Sequence, residues 1–136
     1  MNRRSGFTLI ELMIVVIIMA ALAGMVLPKL INRVDIAKEK IAEADIATIS
    51  QALKMYKLDN GSYPTALNAL MSAPSSSKSW KGPYFEDDPV DPWGNDYEYK
   101  SPGSHKTISF DIWSPGPDGQ SGTADDVNNW DKKRSK

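Results

Sequence analysis

Phe7–Leu27 reads FTLIELMIVVIIMAALAGMVL, twenty-one residues in which only Thr8 and Glu11 are strongly polar. As a helix rising about 1.5 Å per residue the run would be roughly 31 Å long, the thickness of a bilayer's hydrocarbon core. A helix also satisfies its own backbone hydrogen bonds, which lipid cannot do. A buried helix of a soluble protein is the bland alternative, but no other segment is long or apolar enough to cover it. A cleaved secretory signal fits poorly, because such apolar regions run to roughly 7–15 residues and end at a small-x-small site.

The flanks are more telling than the hydrophobicity. Arg3 and Arg4, in the short segment Met1–Gly6, place this end in the cytoplasm by the positive-inside rule. Glu11 sits inside the apolar run, where a carboxylate costs on the order of 2.5–3.5 kcal/mol. Near a helix end it could snorkel, but the cost points to a partner for the charge.

Gly6-Phe7-Thr8-Leu9-Ile10-Glu11 resembles the class III signal of type IV pilins and pseudopilins. The resemblance implies a leader, residues 1–6, removed by a prepilin peptidase that cuts between Gly6 and Phe7 and methylates the Phe7 amine. It implies that Glu11 is the assembly carboxylate, meeting the N-terminal amine of a neighbouring subunit. The physics agrees, since a carboxylate beside a new cation removes two unpaired charges from an apolar setting at once.

With 136 residues, one small domain beyond the anchor is the ceiling. The formal charge is −1, and cleavage of the leader would take it to −3, not the basic balance of a nucleic-acid binder. The chain has no cysteine and one histidine, which excludes thiolate zinc sites and a histidine cluster. An extracytoplasmic domain this small without disulfides needs another staple, and a metal is one.

After the membrane run 7–27, Gly24 and Pro28 would kink or locally melt a helix, yet the periodicity continues. Leu30, Val34, Ala37, Ile41, Ala44, Ile49, Leu53 and Tyr56 predict an amphipathic continuation over 28–58, its apolar stripe lying on a domain core. Asp59-Asn60-Gly61 is the stop. The globular region is then 59–136, packing on 29–58. Thr65 is placed to cap a short helix over Ala66–Met71, with Leu67, Leu70 and Met71 inward. Ala73–Ser79 is a serine-rich loop. Tyr97–Tyr99 and Thr107–Trp113 alternate as strands, the second with Ile108, Phe110 and Ile112 on one face and Thr107, Ser109, Asp111 and Trp113 on the other. A last extended piece near Val127–Trp130 would complete a small antiparallel sheet, and Asp131–Lys136 reads as a frayed tail.

Asp59-Asn60-Gly61-Ser62-Tyr63-Pro64-Thr65 and Asp91-Pro92-Trp93-Gly94-Asn95-Asp96-Tyr97-Glu98-Tyr99 are similar to segments of the major pseudopilins of type II secretion. The resemblance covers nearly the whole chain; Ser72–Ser79 matches no family pattern. It implies an α+β, type IV pilin-like fold: a long N-terminal helix on a small antiparallel sheet, with a C-terminal acidic loop. The missing C-terminal cysteine pair argues against an adhesive type IV pilin.

Asp118-Gly119-Gln120-Ser121-Gly122-Thr123-Ala124-Asp125-Asp126-Val127 carries three carboxylates on glycine-rich chain. Such a loop suits calcium, which takes six to eight oxygens at about 2.3–2.6 Å. It also suits an ordinary solvated turn, and no EF-hand pattern is present. The family resemblance implies a Ca2+ site here, with side-chain ligands Asp118, Asp125 and Asp126. Backbone oxygens of Pro115, Thr123 and Val127 would complete it.

The resemblance implies a non-catalytic fibre subunit that waits in the inner membrane as a single-pass protein, N-terminus cytoplasmic, and then enters a periplasmic pseudopilus. Expected partners are other copies of itself, minor pseudopilins, the prepilin peptidase, the inner-membrane assembly platform and the outer-membrane secretin. No nucleic acid is expected, and no GxxxxGK[ST] loop is present to bind ATP. A type IV pilin or minor pseudopilin is the near alternative. A monomeric, membrane-tethered calcium-dependent binding module is a different class, and it has no use for Glu11. A hydrolase using two of Asp87, Asp88, Asp91, Asp118 and Asp125 is a third, against which their Pro- and Gly-rich setting speaks.

Overall fold

Apolar residues run unbroken from Leu12 to Ala23, and heptad-spaced ones follow, so a single helix dominates the structure. The computed structural model describes residues 6–75, 77–106 and 109–131, without the side chains of 27–32. Helix α1 is Leu9–Asn60, 52 residues, continuous through Gly24 and Pro28. It starts two positions inside the expected run because Thr8 serves as its cap. It ends two positions past Leu58, at Asn60, and is closed by Gly61, whose φ of 82° suits glycine and whose N–H donates to the Lys57 carbonyl at 2.8 Å.

The chain divides into two units after Ile36. In the first, Leu9–Val26 has a mean hydropathy of 2.7 with none of it buried, long and apolar enough to cross a membrane. Such a surface has no stable place in water.

The second unit has its own core. Ala42, Ile46, Ile49, Leu53 and Tyr56 of α1 are buried with Leu70, Tyr97, Phe110, Ile112 and Val127. Their spacing of four and three keeps one helix face inward. This corrects the predicted stripe. Ile49, Leu53 and Tyr56 lie on it, but Val34, Ala37, Ile41 and Ala44 are exposed. Two heptad lines of apolar or small residues run along this helix, and only the one under the sheet is covered.

Three short strands form the sheet, in the order β1-β2-β3: β1 is Glu98–Lys100, β2 Asp111–Ser114 and β3 Val127–Asn128. All pairs are antiparallel, with Tyr99 opposite Ile112 and Ser114 opposite Val127. Asn129 continues the pairing of β3 with β2: its N–H donates to the Ile112 carbonyl at 3.1 Å, and its side chain bonds the Ile112 N–H and the Phe110 carbonyl.

Three local expectations are corrected. The helix over Ala66–Met71 is a 3₁₀ turn, Leu67–Leu70, without a side-chain cap from Thr65. Its brevity follows from the Leu70 carbonyl, which turns outward to accept the N–H groups of Tyr84 (2.7 Å) and Phe85 (3.3 Å). β1 begins at Glu98, since Tyr97 drops into the core with its hydroxyl on Asp45 at 3.0 Å. β2 is shorter than Thr107–Trp113; Thr107 and Ile108 lie outside the described residues. Asp111 does not face outward with Trp113 but is 1 % exposed, because residues 103–106 fold over it. The serine-rich loop is tied down: Ser77 donates to Asn60 at 2.6 Å and Trp80 Nε1 to the Ala69 carbonyl at 2.9 Å.

Candidate functional site

Gly6 and Phe7 precede α1, and Phe7 is exposed. Thr8 is the N-cap, and Glu11 stands three residues on. The Thr8 N–H and hydroxyl each donate to Glu11 Oε2 at 2.9 Å, and the Glu11 N–H donates to Thr8 Oγ1 at 3.3 Å. This reciprocal arrangement is a capping box. A carboxylate in the first helical turn is also favoured by the helix dipole. Glu11 therefore has a job within its own chain, which the reading of it as a partner for a neighbour's amine did not include. The signal was in the sequence, as T-x-x-E before an apolar run.

The acidic loop leaves β2 at Ser114 and returns as β3. The Asp91–Asn95 segment fixes its start. Asp91 is buried and accepts the N–H groups of Trp93 (3.0 Å) and Asn95 (2.8 Å) on Oδ1, and the Ser114 hydroxyl on Oδ2. The Asn95 side chain donates to the Gly116 carbonyl at 3.0 Å, and the Gly116 N–H to Ser114 Oγ at 3.0 Å. Gly116 has φ 70°, and a Cβ there would stand 2.4 Å from the Asp125 carbonyl oxygen. Asp91, set beside the acidic residues as a hydrolase candidate, thus works as a clasp for the loop.

Within the loop the three candidate ligands have different partners. Asp118 Oδ1 accepts the Gln120 N–H at 2.8 Å. Asp125 accepts the Thr123 hydroxyl at 2.6 Å and the Asp118 N–H at 3.2 Å. The Thr123 hydroxyl, then the Asp118 backbone, hold the Asp125 carboxyl below its ordinary range. Asp126 is buried and turns Oδ2 to the Gly122 N–H at 2.7 Å. The Asp118 backbone thus meets Asp125, and the Thr123 hydroxyl, 3.3 Å from Asp126 Oδ1, stands between Asp125 and Asp126. Pro115 is buried beside the clasp and Val127 lies in β3, while Thr123 is exposed between the carboxylates. The donor chemistry is all hard oxygen and fits calcium. The convergence does not follow from it: among the described residues no three His, Cys, Asp or Glu side chains gather as a ligand set. The carboxylates are spent on the loop's own donors.

Asp111 is a third buried carboxylate beside Asp91 and Asp126, and the alternation pattern had set it on the outer face. Asp111 accepts the N–H groups of Ser104 (2.7 Å), His105 (2.8 Å) and Lys106 (3.0 Å), with His105 Nδ1 at 3.1 Å. Burial pushes its carboxyl up, but the His105 and Lys106 N–H groups and the other donors outweigh that and hold it below the ordinary value. Successive N–H groups around one anion form a nest. Alternation gave no sign of it.

Two family descriptions together span most of the chain: a prokaryotic N-terminal methylation motif over residues 1–27 and type II secretion system protein G over residues 29–130. The type II secretion system core protein G of Pseudomonas aeruginosa is 47% identical over 140 residues, covering 96% of this chain and 97% of that protein. The protein of that name in Vibrio cholerae is 42% identical over 137 residues, covering 96% and 94%. The crystal structure of the major pseudopilin from the type 2 secretion system of enterohaemorrhagic Escherichia coli aligns with a TM-score of 0.64 at 38% identity, over 76% of this chain and 95% of that one.

Proposed function

The chain belongs to the type II secretion system protein G family, and from that membership we propose that it polymerises into a periplasmic fibre that helps drive folded exoproteins across the outer membrane. Its role is that of a structural subunit of the pseudopilus, anchored like a pilin by its apolar N-terminal helix. The likeness to a major pseudopilin displaces the type IV pilin and minor-subunit alternatives.

The observation that carries the fibre reading is an 18-residue apolar helix with no cover in its own fold, headed by a carboxylate. In the membrane, lipid covers it. In a fibre, the same helices of neighbouring copies would take the place of lipid, and Glu11 would meet a neighbour's Phe7 amine once the peptidase has removed residues 1–6. That exchange conserves apolar contact and pairs two charges. Minor pseudopilins, the inner-membrane platform and the outer-membrane secretin are the further partners this role requires.

The loop Asp118–Val127 is proposed to bind Ca2+ through Asp118, Asp125 and Asp126 with carbonyls of Pro115, Thr123 and Val127. Its support is the oxygen-only donor set and the family resemblance. Binding would have to draw Asp125 from Thr123 and Asp126 from Gly122. Calcium would supply charge neutralisation and a staple for a loop otherwise held by hydrogen bonds alone.

Cross-linking in native membranes tests the fibre. The chain has no cysteine, so single cysteines placed on exposed helix positions such as Val16 and Ile41 cannot pair within one copy, and products at multiples of the monomer mass report contacts between copies. A ladder of multimers that disappears without the prepilin peptidase is the expected result. Monomers alone in secreting cells would overturn it.

A further inference from the structure

Where the acidic loop meets β2, a cavity of about 320 Å³ has no part in the readings above. Trp113, Trp130 and His105 supply its walls, and Lys100, Asp111 and Asp126 its charges. His105 lies flat on Trp130, ring centroids 4.1 Å apart and planes 4° from parallel, while Trp113 meets Trp130 edge-on at 5.7 Å. Trp113 is held by its Nε1, which donates to Ser121 Oγ at 3.0 Å. Ser121 in turn donates to Glu98. The result is a rigid aromatic corner with carboxylates around it.

Such a corner suits a cation. Indole faces attract ammonium and guanidinium groups through the ring quadrupole, and Trp does so best. Asp126 adds negative charge on the cavity wall. Lys100, the lysine that lines the cavity among the described residues, donates to Ser104 Oγ at 2.6 Å.

A source of cations lies close by. Asn128 Oδ1 accepts the N–H groups of Trp130 (3.2 Å) and Asp131 (2.7 Å), so the chain turns off β3 directly at the cavity wall. Residues 132–136, outside those described, read Lys-Lys-Arg-Ser-Lys: four cations beginning two positions past Trp130. Five residues reach at most about 17 Å when extended, enough to fold back across an adjoining cavity.

We propose that the aromatic cavity formed by Trp113, Trp130 and His105 is a docking site for a basic side chain of the chain's own residues 132–136. Docking brings positive charge beside the acidic loop.

The full chain in detergent, labelled with 5-fluorotryptophan, gives one fluorine signal from each of Trp80, Trp93, Trp113 and Trp130. Ser135→Cys provides a unique position for a nitroxide, since the chain has no other cysteine. Trp80 and Trp93 are references, because neither lines the cavity. The expected result is loss of the Trp113 and Trp130 signals with the references retained, reversed on reducing the nitroxide. Replacing Lys132, Lys133, Arg134 and Lys136 by Ser should restore the Trp113 signal; Trp130, five residues from the label, stays attenuated in either case and does not decide the outcome. Signal loss unchanged by that replacement overturns cation recognition. Equal attenuation of all four signals, or of none, overturns docking. Loss seen only when nitroxide and fluorine are on different molecules assigns the cavity to another copy's tail and overturns the proposal as stated.

Discussion

Replacing Asp111 by Ala should be among the most damaging single changes in the sheet. The carboxylate is 1 % exposed and receives three backbone N–H groups at 2.7 to 3.0 Å. Hydrogen bonds to a charged group contribute about 1.5–3 kcal/mol each, so the three sum to roughly 5–9 kcal/mol before offsets. Burying the carboxylate costs several kcal/mol, which Ala removes, and the opened loop would bring water to the N–H groups. A net loss of about 3–5 kcal/mol remains, out of the 5–15 kcal/mol typical of a domain. Asp111→Asn keeps one acceptor but offers an amide to an N–H, and should lose about 1.5–3 kcal/mol. The sign with pH follows from a carboxyl held below its ordinary value in the fold. Its contribution is complete above the unfolded value of about 3.9 and disappears as pH falls through the lower folded value. Wild type should therefore exceed Asp111→Asn by a constant margin near neutrality, and the margin should shrink below about pH 4. Urea unfolding of the soluble fragment from Lys29 measures this, since every core residue lies at or beyond Ala42. An Asp111→Ala loss under about 1 kcal/mol, or a margin that grows in acid, would refute the nest as a stabilising device.

Glu11 carries two proposed jobs that one pair of variants separates. Glu11→Gln keeps the capping box, since Gln serves at that position, but loses the charge; Glu11→Leu loses both. Both should abolish pseudopilus assembly; normal fibres from Glu11→Gln would show that the cap alone matters. Calcium should raise the melting temperature of the fragment from Lys29, by an amount equivalent to about 2.7 kcal/mol at a hundredfold excess over Kd, and magnesium should not replace it. Asp118→Ala and Asp125→Ala should each remove most of that shift, whereas a wild-type melt indifferent to calcium would mean that Asp118–Val127 is an ordinary solvated loop. Gly103→Ala should destabilise by about 1–3 kcal/mol in the same melts, because its Cβ would stand 2.5 Å from Asp111 Oδ1 and 2.7 Å from the Lys106 carbonyl oxygen. Intact mass of the membrane protein should show residues 1–6 removed and one methyl added; a retained leader in cells with an active peptidase would count against the processing assignment.

Where information is local, the chain alone was enough. Twenty-one residues behind two arginines and a glycine, all but Thr8 and Glu11 apolar or small, define a helix long and apolar enough to cross a membrane, because length and hydropathy are properties of the segment itself. The stop at Asn60-Gly61 is equally local, since only the backbone freedom of glycine is involved. The T-x-x-E cap belongs in the same class and was readable, though it was overshadowed by the carboxylate's cost in lipid. Other features depended on which surface meets which. Helix α1 offers two apolar lines, and nothing in their spacing says that Ala42 and Ile46 lie under the sheet while Ile41 and Ala44 do not. Asp111 alternates as an outward residue; it is buried because residues 103–106 bring three N–H groups onto it from outside the strand. Asp91 and Asn95 close on Ser114 and Gly116 across about twenty positions, a contact no window of sequence contains. The sheet's short strands and the loop's carboxylates take their environments from distant chain, so their roles became definite only when tertiary contacts decided which polar groups lost water and what replaced it.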